Sequence, residues 1–373
     1  MLREITPDDL SAFTLQRHFA PSGPSQKDIV RVTDRICGLN AQSARAAYVS
    51  LWNRIDGFTK DDLAQALYGN KTLIKAWLMR GTVHIVPTAE FPIYQKALRR
   101  ILCSDWEASL RRQTLLDIPR NWNRLLDAIV KTLAGGPLAK RDLVPRLKGL
   151  LRGNTDAEKK RLVGWALRAL TYQGVACHDR PTGPWYHFKD NRFALVGDWL
   201  DPDRLEGIDE AEARSRLLIK YLTGYGPATI QDFAYWAGLK MPMAREIFGS
   251  TADRLGEIRV RGSKTVYWVP KQRLDAVPRR GTHNVAALLP EFDPLIMGHK
   301  DKSRILDERY RPDVFLRLAD VAPTILFDGR VAGTWSYSFT SGAFLTKPFK
   351  KLSPADTNRL NQMSRSLVTF LSR

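Results

Sequence analysis

Asn40-Ala41-Gln42 sets two neutral carboxamides two positions apart, between a helical stretch that ends at Gly38 and another that opens at Ser43. In an extended segment side chains alternate between faces, so Asn40 and Gln42 point one way while Leu39 and Ala41 point into the protein. Each amide offers an oxygen acceptor and an NH2 donor, and two aimed at one spot can fix a water molecule without carrying charge. That suits hydrolysis of a bond whose leaving group is already activated. The same residue types also cap helices, and a helix starting near Ser43 is a second use for them. Spacing alone leaves both roles open.

The elements that must hold this pair belong to a basic, globular chain. At 373 residues with 44% hydrophobic content it is long enough for roughly two to four compact units with real cores. Lys and Arg number 58 against 39 Asp and Glu, giving a formal net charge of +19 and a pI near 10.0. The excess is spread along the chain rather than confined to a tail, which points to a polyanion held by counterion release, hence nucleic acid. No amphipathic basic anchor helix and no apolar run of membrane-spanning length is visible. The three cysteines, Cys37, Cys103 and Cys177, are widely spaced and the first residues do not read as a signal peptide, so a reduced, cytoplasmic protein is expected. Cys177-His178 with His187 lacks the four-ligand spacing of a zinc site, so neither metal nor cofactor is expected.

Turn chemistry reveals a repeat. Gly136-Pro137, four residues, then Asp142-Leu143 returns as Gly226-Pro227, four residues, then Asp232-Phe233. Each Gly-Pro turn opens a helix (Ala139 to Leu147; Thr229 to Ala237), followed by a second helix (Arg161 to Gln173; Met243 to Arg254). Short strand pairs come next: Val175 to His178 with Trp185 to Phe188, and Glu257 to Arg261 with Thr265 to Val269. Helix, helix, wing describes a winged-helix module. The N-terminal third reads similarly, with helices over Ser25 to Cys37, Ser43 to Arg54, Lys60 to Tyr68 and Thr72 to Leu78 and a strand over Gly81 to Val86. Strands over Ala286 to Leu289, Thr324 to Phe327 and Arg330 to Ser338, then a helix over Ser353 to Ser372, complete the chain, with Asp328-Gly329 suited to a tight hairpin. The expected class is mainly α with β wings (α+β): three tandem winged-helix modules over residues 1–120, 121–205 and 206–278, and a small β-rich, barrel-like domain over 279–373.

Four separated motifs carry a family resemblance. They are Gly38-Leu39-Asn40-Ala41-Gln42-Ser43-Ala44-Arg45 through Leu51-Trp52-Asn53-Arg54, then Trp77-Leu78-Met79-Arg80-Gly81-Thr82-Val83-His84, Leu288-Leu289-Pro290-Glu291-Phe292-Asp293, and Asp328-Gly329-Arg330-Val331-Ala332-Gly333-Thr334-Trp335. In this order they resemble the AlkZ/YcaQ family of bacterial winged-helix DNA glycosylases over nearly the whole chain. The family's signature is Gln-x-Gln in the AlkZ-like branch and Gln-x-Asp in the other. Gln42 matches the AlkZ-like form, whereas Asn40 replaces the first Gln with an arm about 1.5 Å shorter.

The resemblance implies a curved array of modules around a basic channel for double-stranded DNA; a monomer is expected. It makes Gln42 and Asn40 the catalytic pair, sets Thr82 and His84 beside them, and offers Arg45, Arg80, Lys300, Lys302 and Arg304 as phosphate contacts. A purine alkylated at N7 is already cationic and leaves without a strong acid, so positioning a water and stabilising an oxocarbenium-like sugar suffice. On this reading Gln42 holds the water and Asn40 supplies a second hydrogen bond. No lysine sits in the motif to form a Schiff base, so strand cleavage is not expected. Glu291 and Asp293 are rival carboxylates, read as exposed at a strand end and able to pair with Lys300 or Arg304. A non-catalytic winged-helix regulator is the alternative, and an RNA-binding protein a more distant one, since no aromatic RNP-like strand is present.

Overall fold

The computed structural model describes residues 3–20, 28–113, 121–151, 153–187, 191–275 and 285–372. Ser25 to Lys27 of the first expected helix, Phe188, and the boundaries placed at 120 and 278 lie outside them. The class is α+β. Several helices start at a threonine whose hydroxyl accepts the third residue's N–H while that residue's carboxylate reaches back: Thr6 with Asp9, Thr59 with Asp62, Thr155 with Glu158 and Thr229 with Asp232. These reciprocal caps fix where Pro7–His18, Lys60–Ala64, Asp156–Tyr172 and Ile230–Ala237 begin.

The strands, in chain order, are β1 (Arg3–Ile5), β2 (Leu39–Asn40), β3 (Leu73–Trp77), β4 (Val83–Pro87), β5 (Leu138–Ala139), β6 (Ala176–Asp179), β7 (Arg192–Leu195), β8 (Leu255–Val260), β9 (Val266–Pro270), β10 (Ala286–Leu289), β11 (Thr324–Phe327), β12 (Arg330–Tyr337) and β13 (Phe344–Pro348). They form three sheets, ordered β1-β8-β9, β10-β11-β12-β13 and β2-β4-β3-β6-β7-β5. The six-stranded sheet joins the N-terminal third to the first Gly-Pro repeat, with Lys75 opposite His178 at the seam. β1 runs parallel to β8 and ties the N-terminus to the second repeat.

Three expectations are corrected. Thr72 to Leu78 is not a helix: Leu73, Ile74, Lys75 and Ala76 are all buried, since β4 and β6 flank the strand and both of its faces are covered. The partner of β6 is β7 rather than Trp185 to Phe188; Trp185 and Tyr186 form a turn. Among the described residues the C-terminal strands make an open four-stranded sheet with no barrel closure, extended by β13 and covered by the helix Pro354–Ser372. Both Gly-Pro helices are present as Lys140–Arg146 and Ile230–Ala237, followed by Asp156–Tyr172 and Met241–Ser250. Among the described residues no helix is long and apolar enough to cross a membrane.

Entry into β2 depends on Gly38. The helix Asp28–Arg35 ends in two successive left-handed residues, Cys37 at φ 57° and Gly38 at φ 94°. A Cβ on Gly38 would lie 2.9 Å from Val86 Cγ1 and 3.1 Å from the Ile85 carbonyl oxygen. Gly38→Ala is therefore expected to cost about 1–3 kcal/mol through the disfavoured φ and the clash with β4, read as a lowered urea midpoint. An unchanged midpoint would show that β2 relaxes freely.

Candidate active site

Asn40 and Gln42 have different surroundings. Asn40 is buried opposite His84 on β4, and its Oδ1 accepts the Gln42 backbone N–H at 2.9 Å. This is a side-chain turn spanning two residues, not a helix cap; the next helix, Ala46–Trp52, starts without any side-chain cap. Gln42 itself is exposed, one residue before Ser43. Asn40 thus fixes the backbone from which the Gln42 amide projects.

Ser43, Arg45, Tyr186, Glu291 and Phe339 line a cavity of about 470 Å³. Tyr186 and Phe339 stack with ring centroids 4.0 Å apart and planes within 6°. The Ser43 hydroxyl donates to Glu291 Oε1, which also accepts from Arg45 Nε at 2.8 Å. Glu291 Oε2 is buried with no hydrogen-bond partner among the described residues. The cavity therefore has a carboxylate with one oxygen committed and one uncommitted, a desolvated acceptor that favours a donor or a positive charge beside it.

The pairing of the second acid differs from expectation as well. Asp293 is fully buried, takes both Arg54 Nη2 (2.8 Å) and Nη1 (3.0 Å), and accepts the Ser50 hydroxyl at 2.9 Å. Asn53 adds a two-bond contact with Leu288, donating to its carbonyl and accepting its N–H. The helix Ala46–Trp52 is thus clamped to β10 and the Glu291–Asp293 turn at three points. Neither acid is exposed, and neither pairs with Lys300 or Arg304; the arginines of the Asn-x-Gln motif claim them.

The expected phosphate contacts separate into two groups. Lys300 is exposed, and Arg45 and Arg80 are half-buried, Arg45 held on Glu291 and Arg80 donating to the Trp236 carbonyl at 2.6 Å. Lys302 and Arg304 are buried. Lys302 Nζ donates to the carbonyls of Ile296 and His299, and burial draws its pKa down to about 7. Arg304 donates to the Pro227 carbonyl at 3.2 Å and lies near Asp232. Both point inward because turn carbonyls there need donors, so neither side chain lines a surface that a phosphate reaches.

Thr82 is half-buried with its hydroxyl on the Met79 carbonyl, and His84 is buried with Nδ1 3.0 Å from the Thr82 carbonyl. Burial, with Arg80 adding to it, lowers the His84 pKa to about 3. His299 is lowered to about 3 by burial and Arg304, and burial takes His18 and His178 well below the usual range. These imidazoles stay neutral in the folded chain, whereas in the unfolded chain each takes up a proton as pH falls below about 6.5. Their contribution to stability is complete above pH 6.5 and lost as pH drops toward the native values, at about 1.4 kcal/mol per pH unit for each group. Urea midpoints should accordingly fall from pH 7.5 to pH 5; equal midpoints would contradict neutral burial.

Sequence reading missed Tyr186, Phe339 and the Ser43–Glu291 contact, which join segments distant in the chain and leave no local pattern. Among the described residues no cluster of three or more His, Cys, Asp or Glu is placed to hold a metal.

Comparison with known proteins places the chain among relatives. The chain is 28% identical over 335 residues to an interstrand DNA cross-link repair glycosylase from Streptomyces sahachiroi, covering 87% of this chain and 86% of that protein. The solved structure of the S. sahachiroi DNA glycosylase AlkZ superposes with a TM-score of 0.80 at 23% identity, over 99% of this chain and 97% of that one, which shows a shared fold. The family model described as "DNA glycosylase AlkZ-like" matches residues 33–370, so the chain belongs to the AlkZ-like DNA glycosylase family.

Proposed function

We propose that this glycosylase hydrolyses the N-glycosidic bond of cationic N7-alkylguanine-type purines in duplex DNA, including bulky adducts. Interstrand crosslinks fall within the same reading, since the S. sahachiroi relative is named for their repair. What supports it is an exposed Gln42 one residue before Ser43, which lines a cavity with a stacked aromatic wall and one uncommitted carboxylate oxygen. In the proposed reaction the C1′–N9 bond breaks and its electron pair returns to the purine, neutralising the alkylated ring. Water held by Gln42 adds to C1′. Its surplus proton passes to Glu291 Oε2, which first offsets the positive charge developing on the sugar. Asn40 supports the step by holding the Gln42 backbone, and its NH2 remains the source of a second hydrogen bond. The helix–helix–hairpin units act as winged-helix modules gripping the duplex, with Arg45, Arg80 and Lys300 toward the phosphates and Thr82 and His84 shaping the site from behind.

The test is release of 7-methylguanine from a defined duplex, with abasic sites revealed by alkali. The wild-type protein should release it well above the buffer rate without cutting the strand. Because the leaving group is already cationic, losing the proton acceptor in Glu291→Gln should slow release only about tenfold, less than general-base catalysis usually contributes. No release by the wild-type protein would exclude this substrate class.

A further inference from the structure

Beside the β3–β6 seam lies a larger cavity, of about 730 Å³, bordered by Trp77, Trp106, Lys140, Lys160, Arg168 and His178. None of them belongs to the site described above. Arg168 is sandwiched with its guanidinium carbon 4.9 Å from the Trp77 ring and 5.0 Å from the Trp106 ring, which fixes its charge at the cavity. Arg168, Lys140 and Lys160 form no salt bridge to a carboxylate among the described residues, so three cations converge on one opening without an internal anion. His178 is 2% exposed, and neither ring nitrogen has a partner within the described protein; the buried Trp106 Nε1 is likewise unpartnered. A neutral imidazole offers one donor and one acceptor, and the indole adds a donor. Buried polar atoms without partners are costly and mark places where a ligand can supply the missing bonds.

The chemistry required of an occupant is specific. A phosphodiester alone presents only acceptors and leaves the imidazole acceptor unused, inorganic phosphate has a hydroxyl donor but no flat edge to reach the imidazole and the indole together, and a hydrocarbon satisfies none of these groups. A planar group with donors and acceptors along one edge and an anion nearby satisfies all of them. We infer that this cavity is a second nucleotide site, taking one unpaired nucleotide with its base edge toward His178 and Trp106 and its phosphate toward Lys140, Lys160 and Arg168. The nucleotide is either part of a DNA strand or free, and the experiment separates the two.

The 373-residue chain is titrated calorimetrically with dGMP, and by fluorescence anisotropy with a blunt duplex and the same duplex carrying a one-nucleotide 3′ overhang. His178→Phe keeps a ring of similar shape against Trp77 and Phe193 but removes both nitrogens; the double variant Lys140→Gln/Lys160→Gln changes only exposed positions and serves should the first fail to fold. A strand-borne nucleotide predicts an overhang preference of about tenfold, the scale of one base stacked on an aromatic group, lost in both variants while blunt-duplex binding persists in His178→Phe. Binding of dGMP, weakened by either variant, with no overhang preference assigns the site to free nucleotides. The inference is overturned if dGMP does not bind at millimolar concentration and the overhang confers no preference, if both variants match the wild type, or if inorganic phosphate competes as well as dGMP does.

Discussion

Gln42→Ala should slow single-turnover release of 7-methylguanine by about 10²- to 10³-fold, the usual effect of removing one preorganised group that acts on the transition state. Affinity for undamaged duplex should be unchanged, because the lost group is neutral and phosphate contacts dominate binding. Folding should also survive: Gln42 is exposed, and the bond that shapes its turn uses its backbone N–H, which alanine retains. Surface substitutions of this kind stay within about 0.5 kcal/mol of wild type. An amide that merely completed a turn would leave the rate untouched, so a variant as active as wild type removes Gln42 from the chemistry. The departure at position 40 has a physical reading here. Asn40 Oδ1 reaches the N–H two residues on, a bond characteristic of the short Asn side chain, so this chain gives the first amide to the backbone and leaves the second to project.

Much of the scaffold was legible because local chemistry decides it. The Gly-Pro repeat located two helices, and Thr229 with Asp232 closes a reciprocal cap where the second begins. The β8–β9 hairpin fell near its expected place through its alternation, and its turn is centred on Arg261 and Gly262. Where both faces of an element are covered, periodicity loses its meaning, and β3 was misread for that reason. Charge was a weaker guide than backbone need. Lys302 and Arg304 sit in a cationic sequence, yet the carbonyls of Ile296, His299 and Pro227 draw them inward. At the candidate site the residue types were visible and the partners were not. Nothing near Glu291 in sequence announces Ser43 and Arg45, and nothing near Phe339 announces Tyr186, because contacts across so many residues follow from how the units dock.

That docking yields the largest stability effect expected here. Asp293→Ala leaves the Arg54 guanidinium buried without its carboxylate, and also removes the acceptor for the Ser50 hydroxyl and the Leu295 N–H. Breaking a buried pair from one side costs about 3–5 kcal/mol, mostly because the remaining charge stays desolvated. Against the 5–15 kcal/mol typical of a domain this is a severe loss, to be read as a lowered urea midpoint. Replacing both partners with apolar groups, as in Arg54→Met/Asp293→Leu, removes the stranded charge and should recover most of it. If the double variant is as weak as the single one, the hydrogen bonds to Ser50 and Leu295 hold the joint rather than the ion pair. The distinction matters for catalysis because the same helix, Ala46–Trp52, follows Ser43 and Arg45, which meet Glu291 at the cavity. Loosening the joint in Asp293→Ala displaces Glu291 from Ser43 and Arg45, whereas an apolar joint that restores stability should restore the cavity with it.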